Sequence, residues 1–268
     1  MSAAVPVAAT TPGWVLVDAF QECWASMLSL GGSLSEAQWD SPALCPGWRA
    51  KDALVHLTSA EIGFADWSDL SRPPFAAIGE AARNLSAMSG ADVLAAFAQV
   101  TERRGNQLAA MSEADLDAES WTAAGTGTYR RYMEIRVFDH WAHEQDIRVP
   151  LDLPGHLDGL GPRMSLDEAH IAFGYLVGKK AAAPDGTSVT VHVTGPNARD
   201  LHAVVDGRAT VVAELAEPSA EVTADFLTFM LLCCGRIDPA GPLADGRVTL
   251  AGDRALAQRV ATNLAFTI

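Results

Sequence analysis

Arg136-Val-Phe-Asp-His-Trp-Ala-His-Glu-Gln-Asp-Ile-Arg148 is the stretch on which the reading of this chain turns. It holds neither proline nor glycine, so it reads as helix. On a helix, residues four apart share a face. Asp139 and His143 then lie on one face with Tyr132, Ile135 and Arg136, flanked by Ala142, and Asp146 follows one turn on. His140, Glu144 and Arg148 form a second row. With Glu144 four residues before Arg148, that row reads as a solvated ion-pair ladder. The first row sets a carboxylate and an imidazole among apolar neighbours, where burial is unfavourable unless something compensates. A divalent metal ion would do so. An i,i+4 Asp–His pair is more often an ordinary hydrogen-bonded pair, so spacing leaves both readings open.

Two ligands need a third. The best candidate is His56, in Cys45-Pro-Gly-Trp-Arg-Ala-Lys-Asp-Ala-Leu-Val-His-Leu57, which also reads as helix, entered through Pro46-Gly47. Spacing alone cannot establish a ligand so far upstream. Two histidines and a carboxylate make a three-ligand set with open positions, the pattern of a catalytic metal. Nitrogen and oxygen donors suit zinc and also admit nickel, iron or manganese.

The two stretches together resemble the mycothiol-dependent maleylpyruvate isomerase family, part of the DinB-like group of metal-binding four-helix proteins. The likeness rests on Gly47-Trp48 followed by His56-Leu57, and on Arg136, Phe138, Asp139, Trp141, His143, Gln145, Asp146, Ile147 and Arg148. It implies His56, Asp139 and His143 as metal ligands. Many members have glutamate where this chain has Asp139; the shorter arm still ligates but shifts the ion by a methylene length.

The chain has 268 residues and a net charge of −14. That length accommodates one large domain or two ordinary ones. The acidity argues against nucleic acid or an anionic membrane as partner, since both need clustered Lys and Arg. Cys23, Cys45, Cys233 and Cys234 form no C-x-x-C, and they read as reduced thiols of a cytoplasmic protein. Residues 1–12 lack a basic n-region and read as a loose tail rather than a signal peptide. No apolar run is long enough to span a membrane.

In order, helices are expected over Gly13–Leu30, stopped by Gly31-Gly32, and over Arg49–Leu70 and Asp92–Met111. Ser33 and Glu36 suggest a capping box between the first two. Arg103 and Arg104 are expected in solvent. Residues 72–90 and 121–128 read as loops shaping a pocket. Leu166–Ala183 is expected to be helical and carries His170. His156 and His170 are surface or packing residues in this reading.

After Pro184-Asp185-Gly186 the period changes to two. Val189, Val191 and Val193 mark a strand, followed by strands Leu201–Val205 and Thr210–Leu215 around Asp206-Gly207. Val222–Cys234 reads as helix, Arg247–Leu250 as strand, and Asp253–Phe266 as helix capped by Asp253. The expected architecture is multidomain and mainly α. A tail (1–12) precedes a DinB-like four-helix bundle (13–160), a connecting helix (161–185) and a small α+β domain (186–268). The last resembles the family's sterol-carrier-like C-terminal domain through Asp206-Gly207-Arg208, Gly235-Arg236 and Gly252-Asp253.

The resemblance implies a divalent metal and mycothiol, a low-molecular-weight thiol, as cofactors, with a small-molecule electrophile as substrate. Addition of the thiol would give either cis–trans isomerisation or an S-conjugate. Asp146 is a candidate to orient a ligand histidine, and Arg236 to bind a substrate carboxylate. Arg136 and Arg148 read as structural ion-pair residues, and Trp48 and Trp141 as core. The alternative is a non-catalytic protein binding a small molecule or partner, with a vestigial metal site. A monomer is expected, because a chain of this size can bury its own core.

Overall fold

In the computed structural model residues 10–267 are described; most of the expected tail falls outside them. Two compact units divide the chain, Thr10–Ser165 and Leu166 onward.

The first unit is built on four long helices. They are α1 (Gly13–Ser33), α3 (Ala50–Ala65), α5 (Gly90–Ala110) and α7 (Tyr129–Arg148). Each packs against two others, in the cycle α1–α5–α3–α7. Short helices α2 (Glu36–Trp39) and α6 (Glu113–Leu116), helix α4 (Phe75–Ser86) and the hairpin of β1 (Glu119–Thr122) with β2 (Gly125–Thr128) fill the connections.

Local chemistry explains most boundaries. Thr128 caps α7 by accepting from the Arg131 N–H, and Ser89 caps α5 from Asp92 N–H. Gly31-Gly32 does not end α1. Helix continues to Ser33, and Gly31 is needed for close approach, since a Cβ there would lie 2.6 Å from Leu94 Cδ1. The capping box belongs to Ser35 with Gln38, while the Ser33 hydroxyl donates to Leu30 O. Helix α3 stops at Ala65, short of Leu70. Residues 72–90 are largely helical rather than loop, because α4 packs on α3 where Gly63 leaves room for Ile78. Residues 121–128 form most of a hairpin, closed by Thr122 Oγ1 donating to Gly125 O.

Helix α7 is buried on nearly every side, including polar residues Arg136, His140, His143, Glu144, Gln145 and Asp146. This overturns the solvated-ladder reading of His140, Glu144 and Arg148. Glu144 does bond Arg148, Nε to Oε1 at 2.6 Å, but its carboxylate is buried and also holds Ser26 and His156. Arg104 is likewise buried, bonding Glu61 and Tyr129; only Arg103 is exposed.

Helix α8 (Leu160–Tyr175) leads into the second unit and runs on as a π-helical stretch, Leu176–Lys180. Five strands follow, β3 (Ser188–Thr194), β4 (Arg199–Asp206), β5 (Arg208–Val212), β6 (Ala220–Asp225) and β7 (Val248–Gly252), with α9 (Phe226–Cys233), α10 (Ala240–Asp245) and α11 (Arg254–Ala261). Sheet order is β5-β4-β3-β6-β7, with only the β3–β6 pair parallel. Val189, Val191, Val193, Leu201, Ala203, Val222 and Ala224 are buried, and α9 and α11 pack on this sheet. The stretch expected as one helix from Val222 starts as strand β6, because pairing with β3 and β7 overrides local preference. Asp225 then caps α9, and Asp253 caps α11, as expected.

Candidate metal centre

Helices α3 and α7 lie side by side and bring three donors together. His56 Nε2 is 3.1 Å from Asp139 Oδ2. His143 Nε2 is 3.5 Å from Asp139 Oδ1. One ligand atom from each of the three residues falls within 4.8 Å of the others. His56 and Asp139 are half-buried, whereas His143 is nearly enclosed. Ring centroids of His56 and His143 are 4.7 Å apart.

These residues fit a divalent ion. Two neutral imidazoles and one carboxylate are a zinc-type donor set. His143 turns its other nitrogen, Nδ1, to Asp146 Oδ2 at 2.8 Å, and Asp146 has no exposed side-chain surface. A hydrogen bond from Nδ1–H to a buried carboxylate leaves Nε2 bare and fixes the ring plane, as metal-binding histidines require.

Electrostatics inside the cluster are strong. Burial disfavours the Asp139 carboxylate, but Arg136, His56 and His143 outweigh it and hold the carboxyl well below its usual range. Burial also opposes a charged His143, yet Asp139 and then Asp146 lift its pKa to about 9. An entering metal ion therefore displaces a proton from this ring.

Several contributors escaped the sequence reading. Trp48, expected in the core, is half-buried and stacks on His143, with centroids 5.3 Å apart and planes 15° apart. It also lies 5.4 Å from His56. Trp141 is core, as expected. Arg136 reaches past a structural role and bonds Asp139 Oδ2 directly. Its other arm meets Glu61 Oε1 at 3.2 Å. Glu61, unnoticed in the sequence, is buried and also accepts from Arg104 Nε and bonds His140 Nε2. Burial works against its charge, but His140, Arg136 and Arg104 pull its pKa far down. Glu61 lies five residues after His56, a spacing that carries no signal alone.

His156 is a packing residue of the first unit, bonding Glu144 at 2.6 Å and Glu22 at 3.0 Å. His170 is half-buried in the second unit. Arg236, also there, follows α9 and donates from Nη1 to Cys234 O at 3.0 Å.

Comparison with known proteins bears on this arrangement. The family model described as mycothiol maleylpyruvate isomerase N-terminal domain matches residues 20–148. The model for the C-terminal domain of the same enzyme matches residues 163–259. The chain belongs to the mycothiol-dependent maleylpyruvate isomerase family.

A crystal structure of a mycothiol-dependent maleylpyruvate isomerase superposes with a TM-score of 0.58 at 15% identity, over 85% of this chain and 90% of the other. A histidine-to-alanine mutant of such an isomerase gives 0.56 at 14% identity, over 90% and 93%. At these identities the likeness speaks to fold. Comparison by sequence with curated proteins returns no match. The family resemblance and the expected fold, a helical N-terminal part followed by a sheet domain, are thus borne out. No helix among the described residues is long and apolar enough to cross a membrane.

Proposed function

We propose that this family member binds a divalent ion, zinc first, through His56, Asp139 and His143, and uses it to add mycothiol to an electrophilic small molecule. Convergence of the three donors, with His143 locked by Asp146, carries the reading. An ion held there by His56, Asp139 and His143 would supply Lewis acidity, lowering the pKa of a thiol so that it is available as thiolate at neutral pH. The surrounding charges favour that partner. Arg104, Arg136 and a divalent ion bring four positive charges; Glu61, Asp139 and Asp146 bring three negative ones. A thiolate neutralises the excess.

The protein's own residues then divide the work. Asp146 orients His143, and Trp48 forms an aromatic wall against both ligand histidines. Attack of the thiolate sulfur on an unsaturated carbon forms a C–S bond and leaves a single bond free to rotate. Re-expulsion of the thiolate gives the trans isomer; protonation instead of expulsion gives the S-conjugate. Arg236 is proposed, on the family resemblance, to bind a substrate carboxylate. The proposal includes a cytoplasmic monomer with no nucleic-acid or membrane partner, supported by the acidic composition and four free cysteines.

The test begins with metal analysis of the purified protein and the visible spectrum of its cobalt(II) form with and without mycothiol. Bound metal, a mycothiol-dependent spectral change, and their joint loss in His56→Ala and His143→Ala are expected. Product analysis with maleylpyruvate and mycothiol then separates isomer from conjugate. A folded protein that takes no metal and ignores mycothiol would refute the reading and favour a binding protein.

A further inference from the structure

Arg136 holds two carboxylates at once, and the second is a proposed metal ligand. One arm bonds Glu61 and the other bonds Asp139 Oδ2. The guanidinium is buried and lies over the Phe64 ring, its central carbon 5.2 Å from the centroid. It sits one helical turn before Asp139 on α7, while Glu61 braces it from α3. Glu61 is braced in turn, because its other oxygen accepts from Arg104 Nε at 3.1 Å.

Neutralising Glu61 does not by itself call for Arg136. Arg104, itself 2% exposed, already supplies one guanidinium to that carboxylate. Arg136 is the second, and its charge is matched by Asp139. Its Nε has no hydrogen-bond partner among the described residues, so the polar contacts to the two carboxylates run through its two terminal nitrogens. A planar fork suits this duty, since it spans two carboxylates in one fixed geometry.

We infer that Arg136 is a positioning residue for Asp139: braced by Glu61, it occupies Oδ2 and so keeps Asp139 a single-oxygen donor to the metal ion. The inference rests on the proposed metal reading and adds to it. A guanidinium bonded to one carboxylate oxygen competes with the ion for that oxygen and so disfavours chelation through both. Oδ2 carries the guanidinium and also faces His56 Nε2 at 3.1 Å, so Oδ1, 3.5 Å from His143 Nε2, is the oxygen that Arg136 leaves free to donate. The centre thereby keeps an open position for the sulfur of mycothiol rather than filling it with its own carboxylate.

Arg136→Met tests this, with Arg136→Lys as the gentler second variant. Lysine keeps the charge but lacks the fork that holds both carboxylates. Each is loaded with cobalt(II), its visible spectrum is recorded, and mycothiol is titrated in, beside a thermal melt of the metal-free protein. In Arg136→Met, freeing Oδ2 raises the coordination number, so the visible absorption weakens and about tenfold more mycothiol is needed to change it. Arg136→Lys gives an intermediate spectrum and titration, and stands for the pair if Arg136→Met does not fold. A variant that melts lower but keeps the wild-type cobalt spectrum and mycothiol titration overturns the inference, leaving Arg136 a structural residue. Wild-type protein that takes no cobalt overturns the metal reading and this inference with it.

Discussion

Replacing Asp146 by asparagine isolates the contact that would prepare His143 to serve as a metal ligand in the proposed site. Asp146 Oδ2 sits 2.8 Å from His143 Nδ1 and is shielded from water. Asparagine is nearly the same size and retains an acceptor oxygen, so the packing survives. The negative charge that anchors Nδ1–H does not, and the amide can also turn its NH2 toward the ring and favour the wrong tautomer. Losing such an outer carboxylate weakens metal binding about 10- to 100-fold, equivalent to about 1.4–2.8 kcal/mol.

The same loss is visible in stability. Zinc at a hundred times its dissociation constant stabilises a protein by about 2.7 kcal/mol, and a tenfold weaker site gains only about 1.4 kcal/mol at that concentration. Two assays apply: competition with a chromophoric chelator, and urea unfolding of metal-free and zinc-loaded protein. The expected result is a smaller zinc-dependent increment in Asp146→Asn than in wild type. An unchanged increment and an unchanged affinity, even with lower metal-free stability, would reduce Asp146 to an ordinary buried acid.

Glu61→Gln leaves Arg104 and Arg136 facing a neutral amide in a buried site and should lower stability by about 3–5 kcal/mol, read from the urea midpoint; a cost under about 1 kcal/mol would mean the cluster is far better solvated than its burial implies. His156 contributes a pH signature. Burial opposes its charge, but Glu144 and then Glu22 raise its pKa above the ordinary 6.5. Its stabilisation is therefore full below the unfolded-state value and is lost as pH rises through the folded one. His156→Gln should thus cost more at about pH 6 than at about pH 9 in urea unfolding, and equal costs would dismiss the ion pairs. Gly90→Ala places a Cβ 2.3 Å from the buried Trp39 indole. Overpacking of about 1–3 kcal/mol is expected, and a thermal melt within a degree of wild type would show that the indole gives way easily.

Sequence alone settled a good deal. The family's paired signatures around His56 and Asp139–His143 were legible because motif spacing on helices is local. The change of period after Gly186, and the cap at Asp253, are likewise written in a few neighbouring side chains. What local signals missed shares one cause. Residues of α7 that look like a solvated row are buried because other helices enclose it on nearly every side. Strand β6 is a strand because β3 and β7 flank it. Gly31 reads as a break but admits a neighbouring side chain, as Gly63 does inside α3.

The candidate site divides the same way. The identities of its donors can be read from the chain, but Glu61, Arg136 and Trp48 acquire their roles only when α3, α7 and the loop before α3 meet. A carboxylate five residues beyond a histidine has no distinctive periodicity, and an arginine one turn before an aspartate reads only as an ordinary helical ion pair. Such charges gain force only where neighbouring helices exclude water, and that exclusion belongs to the tertiary structure.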